Sequence, residues 1–144
     1  MTGNRVTLIS DCLAWVRIRD YVSFAELEDW LARRGIPVKG EYSLDAGQHP
    51  NVVFWAGVSE EFCDIVRELK PHLDLEPCSP MSATLIYLVD GKALNLPFAK
   101  RPPANGYRDP HWLPVTLRTK QRATPAEIRA AREQALRKLG DVMT

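Results

Sequence analysis

The sequence predicts an α+β fold: one domain followed by a helical tail. Three observations carry that prediction. Apolar residues recur at spacings of three and four in segments opened by helix-capping residues. Short runs of β-branched and aromatic residues are bounded by Gly, Pro and Asp. The chain has 144 residues, 45% hydrophobic and 26% charged, enough to bury roughly 70% of its unfolded surface in a single core.

The elements follow in order. Val6, Ile9, Leu13 and Val16 form one helical stripe within residues 5–20, with Cys12 beside it; RVTLIS alone also fits a strand, with Ser10 then capping a shorter helix. Ser23 and Glu26 make a capping box, in which each side chain meets the other residue's backbone N–H. Phe24, Leu27, Trp30 and Leu31 supply the apolar face of a helix over 24–34. Gly35 ends it through the left-handed conformation, and Ile36 is placed to fold back on Leu31. Residues 37–50 read as a loop or loose hairpin, in which GEYSL alternates weakly. Asn51 to Trp55 reads as a buried strand closed by Gly57. Ser59 opens the next helix, with Glu60 and Glu61 in the first turn, where the helix dipole favours negative charge. Phe62, Ile65, Val66 and Leu69 form its buried face, and Pro71 stops it.

LDLEPC (73–78) alternates as a strand does. Thr84–Val89 and Lys92–Leu96 flank Asp90-Gly91, the preferred two-residue hairpin turn. Residues 97–111, rich in Pro, Gly and charge, read as a surface loop. WLPVTL (112–117) reads as a last strand, held at a sheet edge by Pro114. Thr124, Pro125 and Glu127 repeat the helix-start chemistry. The final helix runs to about Leu139, ends at Gly140, and has a thin stripe of Ile128, Ala131, Ala135 and Leu139. Residues 1–117 are the expected domain and 118–144 a basic helical tail.

The net charge of +1 hides a split. Residues 1–99 hold 9 basic and 14 acidic residues, a net of −5, and residues 100–144 hold 10 and 4, a net of +6. A basic arm on an acidic body concentrates near polyanions, of which nucleic acid is the commonest; the competing reading docks the arm on its own body. The candidate phosphate contacts are Lys100, Arg101, Arg118, Lys120, Arg122, Arg129, Arg132, Arg137 and Lys138, with Arg33 and Arg34 able to join them. If about five of the seven basic residues in 118–138 neutralise phosphates, log K falls with log salt at a slope near −4 to −5.

The order helix, helix, short strand, helix, strand, hairpin resembles winged helix-turn-helix domains, nucleic-acid-binding modules in which a three-helix core carries a β-hairpin wing. The residues carrying the resemblance are Val6–Asp20, Ser23–Arg34, Ser59–Lys70 and the Thr84–Leu96 hairpin. It implies an association with nucleic acid, duplex DNA first, and a role in transcription regulation. Two features depart from it. The segment 36–58 far exceeds the three- or four-residue turn of the motif. The third helix, which in that family usually reads the major groove, carries Glu60, Glu61, Asp64 and Glu68 against Arg67 and Lys70. Duplex DNA repels such a helix, so it reads as a protein-contact face. The alternative function is a protein–protein adaptor whose basic final helix docks on an acidic partner, with self-association a further option.

Catalytic and metal chemistry find little support. No two Cys or His residues lie closer than six apart, so zinc-type spacing is missing and no metal or cofactor is expected. Cys63 or Cys78 with His111 has no activating neighbour in the sequence. Asp109 and His111 sit in a Pro-rich loop without a nucleophile motif, and neither phosphate-cradling glycine motif occurs. An enzyme is not expected. Tyr107 and Trp112 flank a turn in the basic region, where they stack on bases, fill a partner pocket, or pin the loop to the hairpin. Three widely spaced cysteines argue against a disulfide framework. No apolar run nears the roughly 18 residues of a membrane span, and the N-terminus lacks a signal peptide's basic start and apolar stretch. The cytoplasm is the expected location.

Overall fold

The computed structural model describes residues 2–47, 50–78, 87, 94, 96–99 and 106–143. Among them it is an α+β protein. Helices pack with two small three-stranded sheets around one hydrophobic cluster. The predicted hairpin over Thr84–Leu96 lies almost wholly outside the described residues.

Helix α1 spans Thr2–Arg19, so the strand alternative for RVTLIS is not taken. Its inner face differs from the predicted stripe. Cys12 and Val16 are fully buried and Leu8, Ile9, Leu13 and Trp15 pack against the core, whereas Val6 is 68% exposed. The face is centred on Cys12 rather than beside it, which carries Val6 round to solvent. Asp20 and Tyr21 then take positive φ, +56° and +48°. This turns the chain into β1 (Val22–Ser23), two buried residues paired antiparallel with Leu117 and Thr116.

Ser23 caps α2 (Phe24–Ala32), and the predicted capping box is present in full. Gly35 takes φ +81° as expected, and the N–H of Ile36 donates to the Leu31 carbonyl at 3.2 Å. The segment to the next helix is a hairpin of two long strands. β2 (Lys39–Asp45) is mostly exposed, and β3 (Val52–Val58) is mostly buried and runs past Gly57. Gly40 lets β2 pass close by, because a Cβ there would meet the Val58 carbonyl oxygen at 2.6 Å.

Ser59 accepts a hydrogen bond from the N–H of Phe62 and donates to the Pro37 carbonyl, fixing the start of α3 (Glu60–Leu69). The buried face is the predicted one, with Cys63 added. α3 ends at Leu69, as Pro71 requires, and Pro71 sits in one 3₁₀ turn, Lys70–His72, before β4 (Leu73–Pro77).

WLPVTL is not one strand. β5 (His111–Trp112) runs parallel to β3, while β6 (Val115–Thr119) is the central strand of the other sheet, in the order β1-β6-β4. Pro114 is where the chain leaves one sheet for the other. It has no N–H to continue a ladder, and its carbonyl accepts from the N–H of Cys78 at the end of β4. β6 runs through Thr119 and so straddles the boundary expected after residue 117.

The last helix, α4 (Pro125–Met143), starts at Thr124 with the reciprocal Thr124–Glu127 bonds the sequence suggests. It continues past Gly140, since a glycine inside a helix costs only about 1 kcal/mol.

Candidate nucleic-acid interface

The nine cations expected to form one phosphate-binding surface fall into four groups. Lys100 and Arg101 lie outside the described residues. Arg118 and Arg122 are spent on the protein's own carboxylates. Arg118 makes two bonds of 2.8 Å to Asp20 and one of 3.3 Å to Glu76, and its guanidinium lies 4.1 Å over the ring of Tyr21. Arg122 reaches Asp74 and Glu76 at 3.4 and 3.5 Å and donates to the Thr119 carbonyl. The cause is topological. β4 and β6 are neighbours, so Asp74 and Glu76 on β4 lie beside Arg118 on β6 and within reach of Arg122 just beyond its end. Lys120 is exposed, and its backbone N–H holds the His72 carbonyl at 2.9 Å.

The last four, Arg129, Arg132, Arg137 and Lys138, are exposed on α4. None has an ion pair among the described residues. Among the described residues the helix touches the body near its start. There Glu127 pairs with Arg17 at 2.8 Å and Ile128 and Ala131 are half-buried; residues 132–140 are all exposed. At about 1.5 Å per residue the four cations are spread along about 14 Å of helix. They share this stretch with Leu136 and Leu139, 66% and 56% exposed, an apolar feature not singled out as exposed from the sequence.

The other predicted contributors are committed elsewhere. Arg33 pairs with Asp29, and Arg34 stacks over Trp30 at 3.5 Å. Trp112 is 1% exposed, with its indole N–H donating to the Phe54 carbonyl, and Tyr107 stacks on His111 with centroids 3.8 Å apart. The Trp112 indole ties the segment to β3, and the Tyr107–His111 stack lies within the segment. The outward side of α3 presents Glu60, Asp64 and Glu68 beside Arg67 and Lys70. Arg67 pairs with Asp64, and Glu61 and Glu68 both receive Arg5 of α1.

His111 meets the backbone carbonyl of Asp109, not its carboxylate. Burial pushes the Cys12 thiol up to about 12 and raises those of Cys63 and Cys78 as well, opposite to the activation a nucleophile needs. Among the described residues no group of three or more His, Cys, Asp or Glu side chains is placed to hold a metal ion, and no helix is long and apolar enough to cross a membrane.

Comparison with family models, with curated proteins and with solved structures finds no match to this chain.

Proposed function

We propose that this chain is a winged-helix-type protein that associates with nucleic acid through the phosphate backbone, using α4 rather than α3. The chain order α1, β1, α2, α3, β4, β6 supports the winged-helix part. The antiparallel β4–β6 pair follows the three helices as a wing's stem would, and β1, from between the first two helices, joins its sheet. The wing in this reading is the Thr84–Leu96 hairpin, which lies almost wholly outside the described residues. The β2–β3 hairpin takes the place of the short turn between α2 and α3, and the acidic face of α3 disfavours a groove-reading role.

One observation carries the nucleic-acid reading: four exposed cations without ion-pair partners among the described residues, on a helix whose residues 132–140 are all exposed. Point charges on an exposed helix give backbone affinity with little sequence selectivity. With Arg118 and Arg122 committed internally and Lys120 lying before α4, the four cations of α4 supply about four phosphate contacts. The slope of log K against log salt on duplex DNA is then about −3 to −4. Fluorescence anisotropy across a salt series measures it, and replacing Arg129, Arg132, Arg137 and Lys138 with Gln removes the binding. Binding that survives those four substitutions overturns the reading.

A second reading, the adaptor, is favoured by Leu136 and Leu139. A basic helix displaying leucines at i and i+3 suits an apolar groove with an acidic rim. Leu136→Ala with Leu139→Ala leaves DNA binding intact under the first reading and abolishes partner binding under the second.

A further inference from the structure

A second basic feature lies away from the free cations of α4. A cleft of 320 Å³ opens where α1, the 3₁₀ turn and the end of β6 meet. Its ionisable lining is Arg17, His72 and Lys120, one from each segment, and no carboxylate is among the lining residues. Leu13, Ala14 and Pro71 supply an apolar wall, which keeps water from screening the charges fully.

The cleft is built rather than incidental. The hydrogen bond from the Lys120 N–H to the His72 carbonyl ties the turn to the strand end, so both side chains leave one junction. Arg17 is fixed from the other side: its Nη2 donates to Glu127 Oε1 at 2.8 Å and to the Arg122 carbonyl at 3.2 Å. Its Nε is shut off from solvent and meets no acceptor among the described residues. The side chain as a whole is 28% exposed, and the unmade bond at its one buried donor is costly. Among the described residues Glu127 is the one carboxylate paired with it, and Arg122 nearby is occupied by Asp74 and Glu76.

We propose that this cleft binds a phosphate group, carried by a monoester or a phosphodiester. Arg17 supplies the fixed planar cation, Lys120 a mobile point charge and His72 a ring N–H, a set that suits a compact tetrahedral anion. The apolar wall faces the ester substituent. This site stands on its own geometry and does not depend on α4 binding nucleic acid.

The test is a ¹H–¹⁵N titration of the full chain with inorganic phosphate and, separately, with dimethyl phosphate, each against chloride at equal ionic strength. Saturable shifts are expected at the amides of Ala14, Arg17, His72, Lys120 and Gln121. A His72→Ala/Lys120→Ala variant keeps the rest of its spectrum, because both side chains are exposed, and binds phosphate at least about tenfold more weakly, as the loss of a charge-assisted contact implies. Saturation by dimethyl phosphate at the same amides assigns the cleft to a phosphodiester; saturation by inorganic phosphate alone assigns it to a monoester. Shifts that never saturate, that chloride reproduces, that map only to α4, or that the double variant leaves unchanged overturn the proposal.

Discussion

Arg118 grips Asp20 at both carboxylate oxygens, Nε to Oδ1 and Nη2 to Oδ2, each at 2.8 Å. The pair joins the end of α1 to the central strand β6. Asp20 Oδ1 also accepts the N–H of Tyr21, and the Tyr21 ring lies beneath the guanidinium. Asp20 and Tyr21 both hold positive φ, a conformation that costs a bulky residue energy unless its surroundings impose it. The first cation of the expected tail is therefore the clamp on this turn.

The clamp gives stability a defined pH dependence. Arg118 holds the Asp20 carboxyl below its ordinary value of 3.8. A carboxyl whose folded value is depressed contributes stability above its unfolded value and loses it as pH falls through the folded one. Asp20→Asn is accordingly less stable than the parent at pH 7. The gap narrows below about pH 4 and closes once Asp20 is protonated in the folded parent. Because Asp20 is 34% exposed, solvent screens the pair and the effect is modest. Urea unfolding at pH 7, 4 and 2 measures it; a gap that stays constant across that range assigns the loss to packing.

Tyr87 carries a larger single contribution. Its buried hydroxyl donates to the Val115 carbonyl at 2.7 Å and accepts the Phe24 N–H at 3.1 Å, joining the start of α2 to β6. Tyr87→Phe keeps the ring against Trp55 and Trp112 but strands the Phe24 N–H in the core. The expected loss is about 1–3 kcal/mol, read as a lower urea midpoint with an unchanged m-value.

Local chemistry was readable in the sequence where a few neighbouring residues decide it. Ser23 with Glu26, Ser59, Gly35, and Thr124 with Glu127 each close a backbone bond within four residues, and each does so in the structure. Partners distant in the chain were not readable. Pro114 suggested an edge strand because a missing N–H excludes a ladder position; a change of sheet satisfies the same constraint and leaves β6 central. Arg118 and Arg122 looked free because Asp20, Asp74 and Glu76 lie at least 42 residues from them. Val6 looked buried because a four-residue stripe does not fix the centre of a helix face.

The cysteines offer a check on the packing of α1 and α3. The Cys12 thiol is pushed up to about 12, chiefly by burial, and Cys63 is raised for the same reason. Reactivity toward thiol reagents requires thiolate and access. At pH 8 the native protein is expected to label first at half-buried Cys78, with Cys12 and Cys63 reacting only as urea unfolds the chain. Rapid native labelling of Cys12 contradicts the placement of α1 against the core.

Exchanging cations for Gln separates structural from binding charge. Gln matches Arg closely in helix propensity, and all four side chains are exposed. The four substitutions at Arg129, Arg132, Arg137 and Lys138 are therefore expected to shift unfolding free energy by less than about 1 kcal/mol while removing the salt-dependent DNA affinity. Arg118→Gln is expected to do the reverse. It gives up the Asp20 fork and the Tyr21 stack, so the protein unfolds at lower urea, but it removes no phosphate contact, so the salt slope on duplex DNA stays as it was. If Arg118→Gln flattens that slope in a folded protein, the Asp20 pair opens in the complex, and the contact surface extends from α4 onto the sheet.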